Sequence, residues 1–300
     1  MDTVDFIWMD GEFIPWDSAK IHVLSHSLHY GTGVYEGIRF YETENGKTAV
    51  FRLKEHIDRL YISAKALNIE IPYKKEVIHE AALENIRKNK IKSGYIRPIV
   101  FYGYGKMGLM PQGAKLNVCI AVWPWGSYLG EDLVRVKTVS IIKMHPNSTV
   151  TTAKICGHYA NSLQAKHEAI AAGYDEALLL DYKGNIAEGP VENIFMVKDN
   201  KLITPKGGNI LEGITRDSIM KIAQDSNIEV IEKDLILDDL LAANEAFFTG
   251  TAAEVSGIKQ INDVMIGKGD LGPISQKLKA IYTDVIHGKI DQYSDWLTYV

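Results

Sequence analysis

The longest unbroken apolar runs of this chain, such as residues 118–123, are short. A helix that crosses a bilayer needs about 18–20 apolar residues, so these runs suit buried strands instead. Strands are expected at 95–102, 117–122, 135–142, 176–180, 193–197, 201–203, 229–231 and 245–249. Pro98 restricts how the first of these can pair. Helices are expected between them. Leu53, Ile57, Leu60, Tyr61, Ala64 and Leu67 recur at helical spacing, and further helices are expected over 74–89, 159–172, 215–225 and 273–286. Asp10-Gly11 and Asn45-Gly46 are pairs that tight hairpins favour, because both central residues of such a turn need φ > 0. The alternation keeps no steady βαβ rhythm, so the class is α+β rather than a doubly wound sheet.

Three hundred residues suit two domains. The stretch WPWGSYLGED has no period of either kind, and its aromatics suggest a partly buried connection lining a cleft. The division expected is 1–122, a connection at 123–133, and 134–300. The net charge of −5, with no basic block, argues against a nucleic-acid partner. An acidic N-terminus without a basic n-region, and two cysteines 37 positions apart, point to a cytoplasmic protein with neither disulfide framework nor zinc-thiolate site.

His22, His26 and His29 fall at i, i+4, i+7, but Gly31 and Gly33 follow and no carboxylate base accompanies them; ordinary loop and core histidines are the better reading, and no metal is expected. The glycine clusters at 31–37 and 103–108 match no phosphate-loop or dinucleotide fingerprint. Lys154, in TTAKICGHY, has no acidic residue within five positions and is expected to be partly desolvated, which frees an amine for imine chemistry. Glu188 and Glu192 sit in AEGPVENIF ahead of an apolar strand. ILEGITR places Gly213 before a helix with Thr215 as the expected N-cap, and FFTGTAAE ends a strand in small residues. Two such N–H-rich turns could hold one phosphate and one carboxylate.

Taken together, EGPVENIF (188–195), LIT (202–204) and LEGITR (211–216) resemble the class IV aminotransferases that use pyridoxal 5′-phosphate, and within them the branched-chain-amino-acid aminotransferases. The resemblance covers nearly the whole chain, with Pro190 and His158 as its two departures. It implies a smaller N-terminal α/β domain, a larger C-terminal domain with a pseudo-barrel of strands, and the cofactor between them. By the same resemblance, Lys154 would carry the cofactor and shuttle the proton, Glu188 would meet the pyridine nitrogen, and Tyr159 would hydrogen-bond the phenolic oxygen. Arg59, the amides of Ile214 and Thr215, and the Thr251 hydroxyl would hold the phosphate.

Substrate recognition is read from the first half. Tyr95 and Arg97, at i and i+2 of a strand, share a face and suit a distal carboxylate. YEGIR (35–39), GYIRP (94–98), KMGLMP (106–111) and PWGSYLG (124–130) look like the branched-chain subgroup. They imply Tyr35, Gly37, Met107, Leu109, Trp125 and Tyr128 at the substrate, with Thr251 and Ala252 at its carboxylate. Tyr30 and the 107–109 loop would reach into a partner subunit's site, making a homodimer the smallest competent unit. The reaction implied is transamination between L-leucine, L-isoleucine or L-valine and 2-oxoglutarate. The alternatives are a D-amino-acid transaminase or an aminodeoxychorismate lyase of the same fold, or a non-catalytic phosphate or nucleotide binder.

Overall fold

The computed structural model describes residues 3–126 and 133–300. In chain order its elements begin with β1 (Phe6–Met9), β2 (Glu12–Pro15), α1 (His26–Tyr30), β3 (Gly33–Tyr35), β4 (Ile38–Glu42) and β5 (Thr48–Phe51). Next come α2 (Leu53–Ala66), α3 (Lys75–Asn89), β6 (Gly94–Tyr102), β7 (Leu116–Trp123) and β8 (Val134–Thr138). They continue with α4 (Tyr159–Ala171), β9 (Glu176–Leu180), β10 (Ile186–Glu188), β11 (Asn193–Lys198), β12 (Lys201–Pro205) and α5 (Ile214–Asp225). The remainder are β13 (Val230–Lys233), α6 (Leu237–Leu241), β14 (Glu245–Gly250), β15 (Glu254–Ile261), β16 (Val264–Met265), α7 (Pro273–Ile286) and β17 (Leu297–Tyr299). Helices and two sheets thus combine in the expected α+β class. Among the described residues no helix is long and apolar enough to cross a membrane.

Two compact units result, and the chain is not cut once between them. The first comprises 1–126, 153–158 and 285–300; the second comprises 127–152 and 159–284. Hydrogen bonding explains the returns to the first unit. Ile155 bridges Val34, and β17 adds to the edge of β5 through Leu297, Thr298 and Tyr299.

In the first unit the sheet order is β17-β5-β4-β6-β7-β1-β2, with β3 also on β6. The Asp10-Gly11 turn closes β1 on β2 with both residues at positive φ, 53° and 101°. Asn45-Gly46 behaves differently: only Gly46 has positive φ, and Asn45 Oδ1 instead accepts from Lys47 N and the Thr43 hydroxyl, so the loop is wider than a two-residue turn. Pro98 is tolerated inside β6 because it falls between β4, which pairs through Ile96, and β3, which pairs from Ile99. The apolar stripe of α2 (Leu53, Ile57, Leu60, Ala64) and that of α3 (Ile78, Ala82, Ile86) pack with Phe40, Ile96, Ile120 and Val122 of the sheet.

In the second unit the order is β10-β9-β8-β15-β14-β11-β12-β13, with β16 on β15. β8 stops at Thr138, short of the expected residue 142. Its core joins Val136, Leu178, Ile194, Met196, Phe248, Ile258 and Ile261. The helix α5 is capped by Gly213, not by Thr215, which is buried inside the first turn. Position 213 itself is held to glycine by space, since a Cβ there would lie 2.0 Å from Asn193 Oδ1.

Candidate active site

In the first unit, α2 turns His56, Arg59 and Ser63 toward one side, at i, i+3 and i+7. Ser63 Oγ accepts from Lys154 N at 2.9 Å, and Lys154 O accepts from Tyr35 N at 3.2 Å. Both backbone groups of Lys154 are therefore fixed. Its amine stands 5.0 Å from the centre of the Tyr35 ring, and the residue is half-buried.

Arg59 grips Glu36, with Nε to Oε1 at 2.7 Å and Nη2 to Oε2 at 2.9 Å. His56 Nδ1 donates to the same Oε2 at 2.7 Å. Glu36 is fully buried. Burial alone would raise its pKa, but the Arg59 charge and the hydrogen bonds of His56 and Arg59 hold it well below the carboxylate range. Burial lowers the pKa of His56, and its bond to Glu36 offsets this only in part.

Tyr95 and Arg97 do share a side of β6, with Arg97 Nη2 donating to the Tyr95 hydroxyl at 3.5 Å. The Arg97 guanidinium lies 4.7 Å from the Tyr35 ring, 5.3 Å from Tyr95 and 5.8 Å from Trp123. Trp125 packs edge-on against Tyr95 at 4.5 Å. Gly37 is required beneath this group, because a Cβ there would meet the Tyr95 hydroxyl at 1.7 Å. Tyr128 lies outside the described residues.

Tyr30, Met107 and Leu109 are not brought to this cluster; all three are exposed. They share another face, where His26 packs on Tyr30 and its Nε2 bonds the Gly108 carbonyl at 2.8 Å. The remaining histidines are also accounted for locally: His22 packs on Tyr104, and His29 bonds the Val23 carbonyl. Among the described residues no group of His, Cys, Asp or Glu is arranged to hold a metal ion.

In the second unit, Glu188 ends β10 with a buried carboxylate. It accepts from Asn193 Nδ2 at 3.0 Å and from Leu211 N at 3.2 Å, and it is ion-paired with Lys143, itself buried. Glu192 is buried beside it. Burial, then the charge of Glu176, raise its pKa well above the carboxylate range, and its Oε1 has no hydrogen-bond partner. Gly213 gives α5 no side-chain cap, and Ile214 and Thr215 follow it, buried. Thr251 and Ala252, half-buried, form the turn from β14 to β15. Tyr159 opens α4, half-buried.

Glu36, His56, Ser63, Lys143 and Asn193 were not singled out as site residues from the sequence. Two carried a signal: Glu36 lies inside YEGIR and Asn193 inside EGPVENIF. The others, two helix residues and one in the loop after β8, are ordinary until the fold gives them partners.

The first unit thus holds a lysine fixed at both backbone groups, and the second, by itself, holds a buried paired carboxylate and a helix start without a side-chain cap. The pattern of the amino-transferase class IV family matches residues 33–261, and the chain belongs to that family. The branched-chain-amino-acid aminotransferase of Pseudomonas aeruginosa is 46% identical over 298 residues, covering 98% of this chain and 97% of that one. The T.th. branched-chain amino acid aminotransferase with pyridoxamine 5′-phosphate is similar at a TM-score of 0.96 and 45% identity, covering 100% of this chain and 99% of that one. The same enzyme complexed with N-(5′-phosphopyridoxyl)-L-glutamate gives a TM-score of 0.95 at 44% identity, with coverage of 100% and 99%.

Proposed function

We propose that this chain transfers the amino group between L-leucine, L-isoleucine or L-valine and 2-oxoglutarate, giving branched 2-oxo acids and L-glutamate, with pyridoxal 5′-phosphate as cofactor. The observation that carries this reading is the similarity, over nearly the full chain, to branched-chain-amino-acid aminotransferases at 46% and 45% identity. The donor set suits the cofactor. The N-terminus of α5, without a side-chain cap, fits a phosphate, the Glu188 carboxylate fits a protonated ring nitrogen, and Lys154 supplies the amine.

When bound, the cofactor supplies an electron sink for the electron pair left at the substrate Cα. Lys154 would hold it through its amine, and the same amine would take and return the proton at the substrate Cα as general base and acid. Its fixed backbone leaves only the side chain to travel. Glu188 would hold the proton at the ring nitrogen, and Tyr159 would orient the ring through its phenolic oxygen. Arg59, Ile214 N, Thr215 N and the Thr251 hydroxyl bind the phosphate. Tyr35, Gly37, Tyr95, Trp125 and Tyr128 wall the apolar side chain. Arg97 takes the distal carboxylate of glutamate, and Thr251 and Ala252 take the carboxylate common to all substrates.

The chain is further proposed to act as a homodimer in the cytoplasm. Support for the dimer comes from the exposed apolar face of Val23, Leu28, Tyr30, Tyr104, Leu109 and Met110, which suits a second copy. Tyr30, Met107 and Leu109 would then serve the partner's site. Both cysteines are free, which suits a reducing compartment.

The test follows the two half-reactions by the cofactor's colour. L-leucine, L-isoleucine, L-valine and L-glutamate are expected to convert its aldehyde form, and 2-oxoglutarate to restore it. Preferred turnover of D-amino acids or of aminodeoxychorismate would assign the chain to those activities instead. Arg97→Ala is expected to slow the glutamate half-reaction by about 2–4 kcal/mol, because the distal carboxylate loses its charged partner. Leucine should lose less than about tenfold. Equal losses would make Arg97 structural or move it to the common carboxylate.

A further inference from the structure

Glu188 is 4% exposed and Lys143 is 8% exposed, and the two are ion-paired. The pair is built on fixed supports. Lys143 N donates to Leu180 O at 2.8 Å, tying the lysine's backbone to β9, the strand that pairs with the β10 strand of Glu188. The ammonium meets Oε1, while Asn193 Nδ2 and Leu211 N serve Oε2 at 3.0 and 3.2 Å. A buried carboxylate needs a counter-charge, and two neutral N–H donors do not provide one.

The reading above assigns this carboxylate a second cation, the protonated ring nitrogen. Resting on that assignment, we propose that Lys143 is a positioning residue for the reaction. It is the counter-charge that pairs with and aims Glu188 in the cofactor-free protein, and it shares that carboxylate with the ring nitrogen once the cofactor is bound. Lys143 touches neither substrate nor reacting atoms in this role; it acts through Glu188. The consequence is thermodynamic and asymmetric. Removing the lysine strands a buried charge in the cofactor-free protein, whereas the bound cofactor supplies a replacement cation.

Thermal midpoints of the full chain test this, without cofactor and saturated with pyridoxamine 5′-phosphate. Lys143→Met is expected to lower the cofactor-free midpoint by roughly 5–10 °C and the saturated midpoint by less than about half as much. The rise on saturation should therefore be larger in the variant than in wild type. Lys143→Arg should behave as wild type, and the Lys143→Met, Glu188→Gln double variant should recover most of the cofactor-free loss, since neither charge remains. Equal falls with and without cofactor, or no recovery in the double variant, would overturn the proposal and leave Lys143 a structural residue. Should Lys143→Met not fold, Lys143→Gln is put through the same cycle, and a failure of both to fold while the double variant folds supports the proposal. If pyridoxamine 5′-phosphate raises no midpoint even in wild type, the cofactor reading fails instead. The cofactor-free cycle still reports whether Lys143 is the counter-charge of Glu188.

Discussion

Glu36 has no access to solvent, yet it carries one ring nitrogen and two guanidinium nitrogens within 2.9 Å. Its folded pKa is lowered, so it contributes stability above the unfolded value of 4.5 that is lost as pH falls below it toward the folded value. His56 is also lowered, so folding favours its neutral form, and that contribution is present above 6.5 and lost as pH falls below it. Both act in the same direction, toward acid instability. Glu36→Gln is expected to cost about 3–5 kcal/mol at neutral pH by leaving Arg59 without its buried partner. It should also flatten the acid limb of stability measured by urea unfolding from pH 4.5 to pH 2, where the Glu36 contribution is lost. An unchanged slope would remove Glu36 as a source of the pH dependence. Sequence alone could single out Lys154, Glu188, Tyr95 and Arg97, because each sits in a short motif of unusual neighbours. It could not single out their supports. Glu36 lies 23 positions from Arg59, and Ser63 lies 91 from Lys154, so only the folded chain pairs them.

At the scale of elements, the start of α5 couples two parts of the site. Asn193 holds Glu188 with its Nδ2, which also donates to Leu211 O at 2.9 Å, and presents Oδ1 to the space left by Gly213. Gly213→Ala would push that amide away from both acceptors. The expected cost is about 1–3 kcal/mol of stability by overpacking, together with a weakened affinity for pyridoxamine 5′-phosphate, read by titration calorimetry. A variant with wild-type affinity would show that the helix start and Glu188 are independent. The same glycine marks where sequence reading erred, since Thr215 has the better capping side chain but the backbone turns earlier. Long amphipathic helices were legible because their period survives over several turns, as in α2 and α3. β15 was not, since it opens at a positive-φ Glu254 and passes through Ser256, Gly257 and Lys259, which blur any alternation. Nor was β17, whose pairing with β5 depends on a partner some 250 positions away.

For the whole molecule, the exposed apolar face of the first unit and the fate of Lys154 carry the account. Leu28 is 62% exposed and Leu109 is 77% exposed, more than an isolated chain gains by keeping. Leu109→Asp combined with Leu28→Asp is expected to shift the protein from dimer to monomer in sedimentation velocity while leaving its circular dichroism intact. A wild-type monomer would remove the dimer, and an unaffected dimer would move the interface elsewhere. Length and the aromatic stretch near residue 123 suggest a single cut, whereas the return of 153–158 and 285–300 to the first unit could not be read from them, since strand pairing sets it. That return is what seats Lys154 between Tyr35 and Ser63. The central claim is that this lysine carries the cofactor. Borohydride reduction of the loaded protein, followed by peptide mapping by mass spectrometry, tests it most directly. The account requires a single phosphopyridoxyl adduct on Lys154, absent in Lys154→Ala; an adduct on any other lysine, or none, would contradict it.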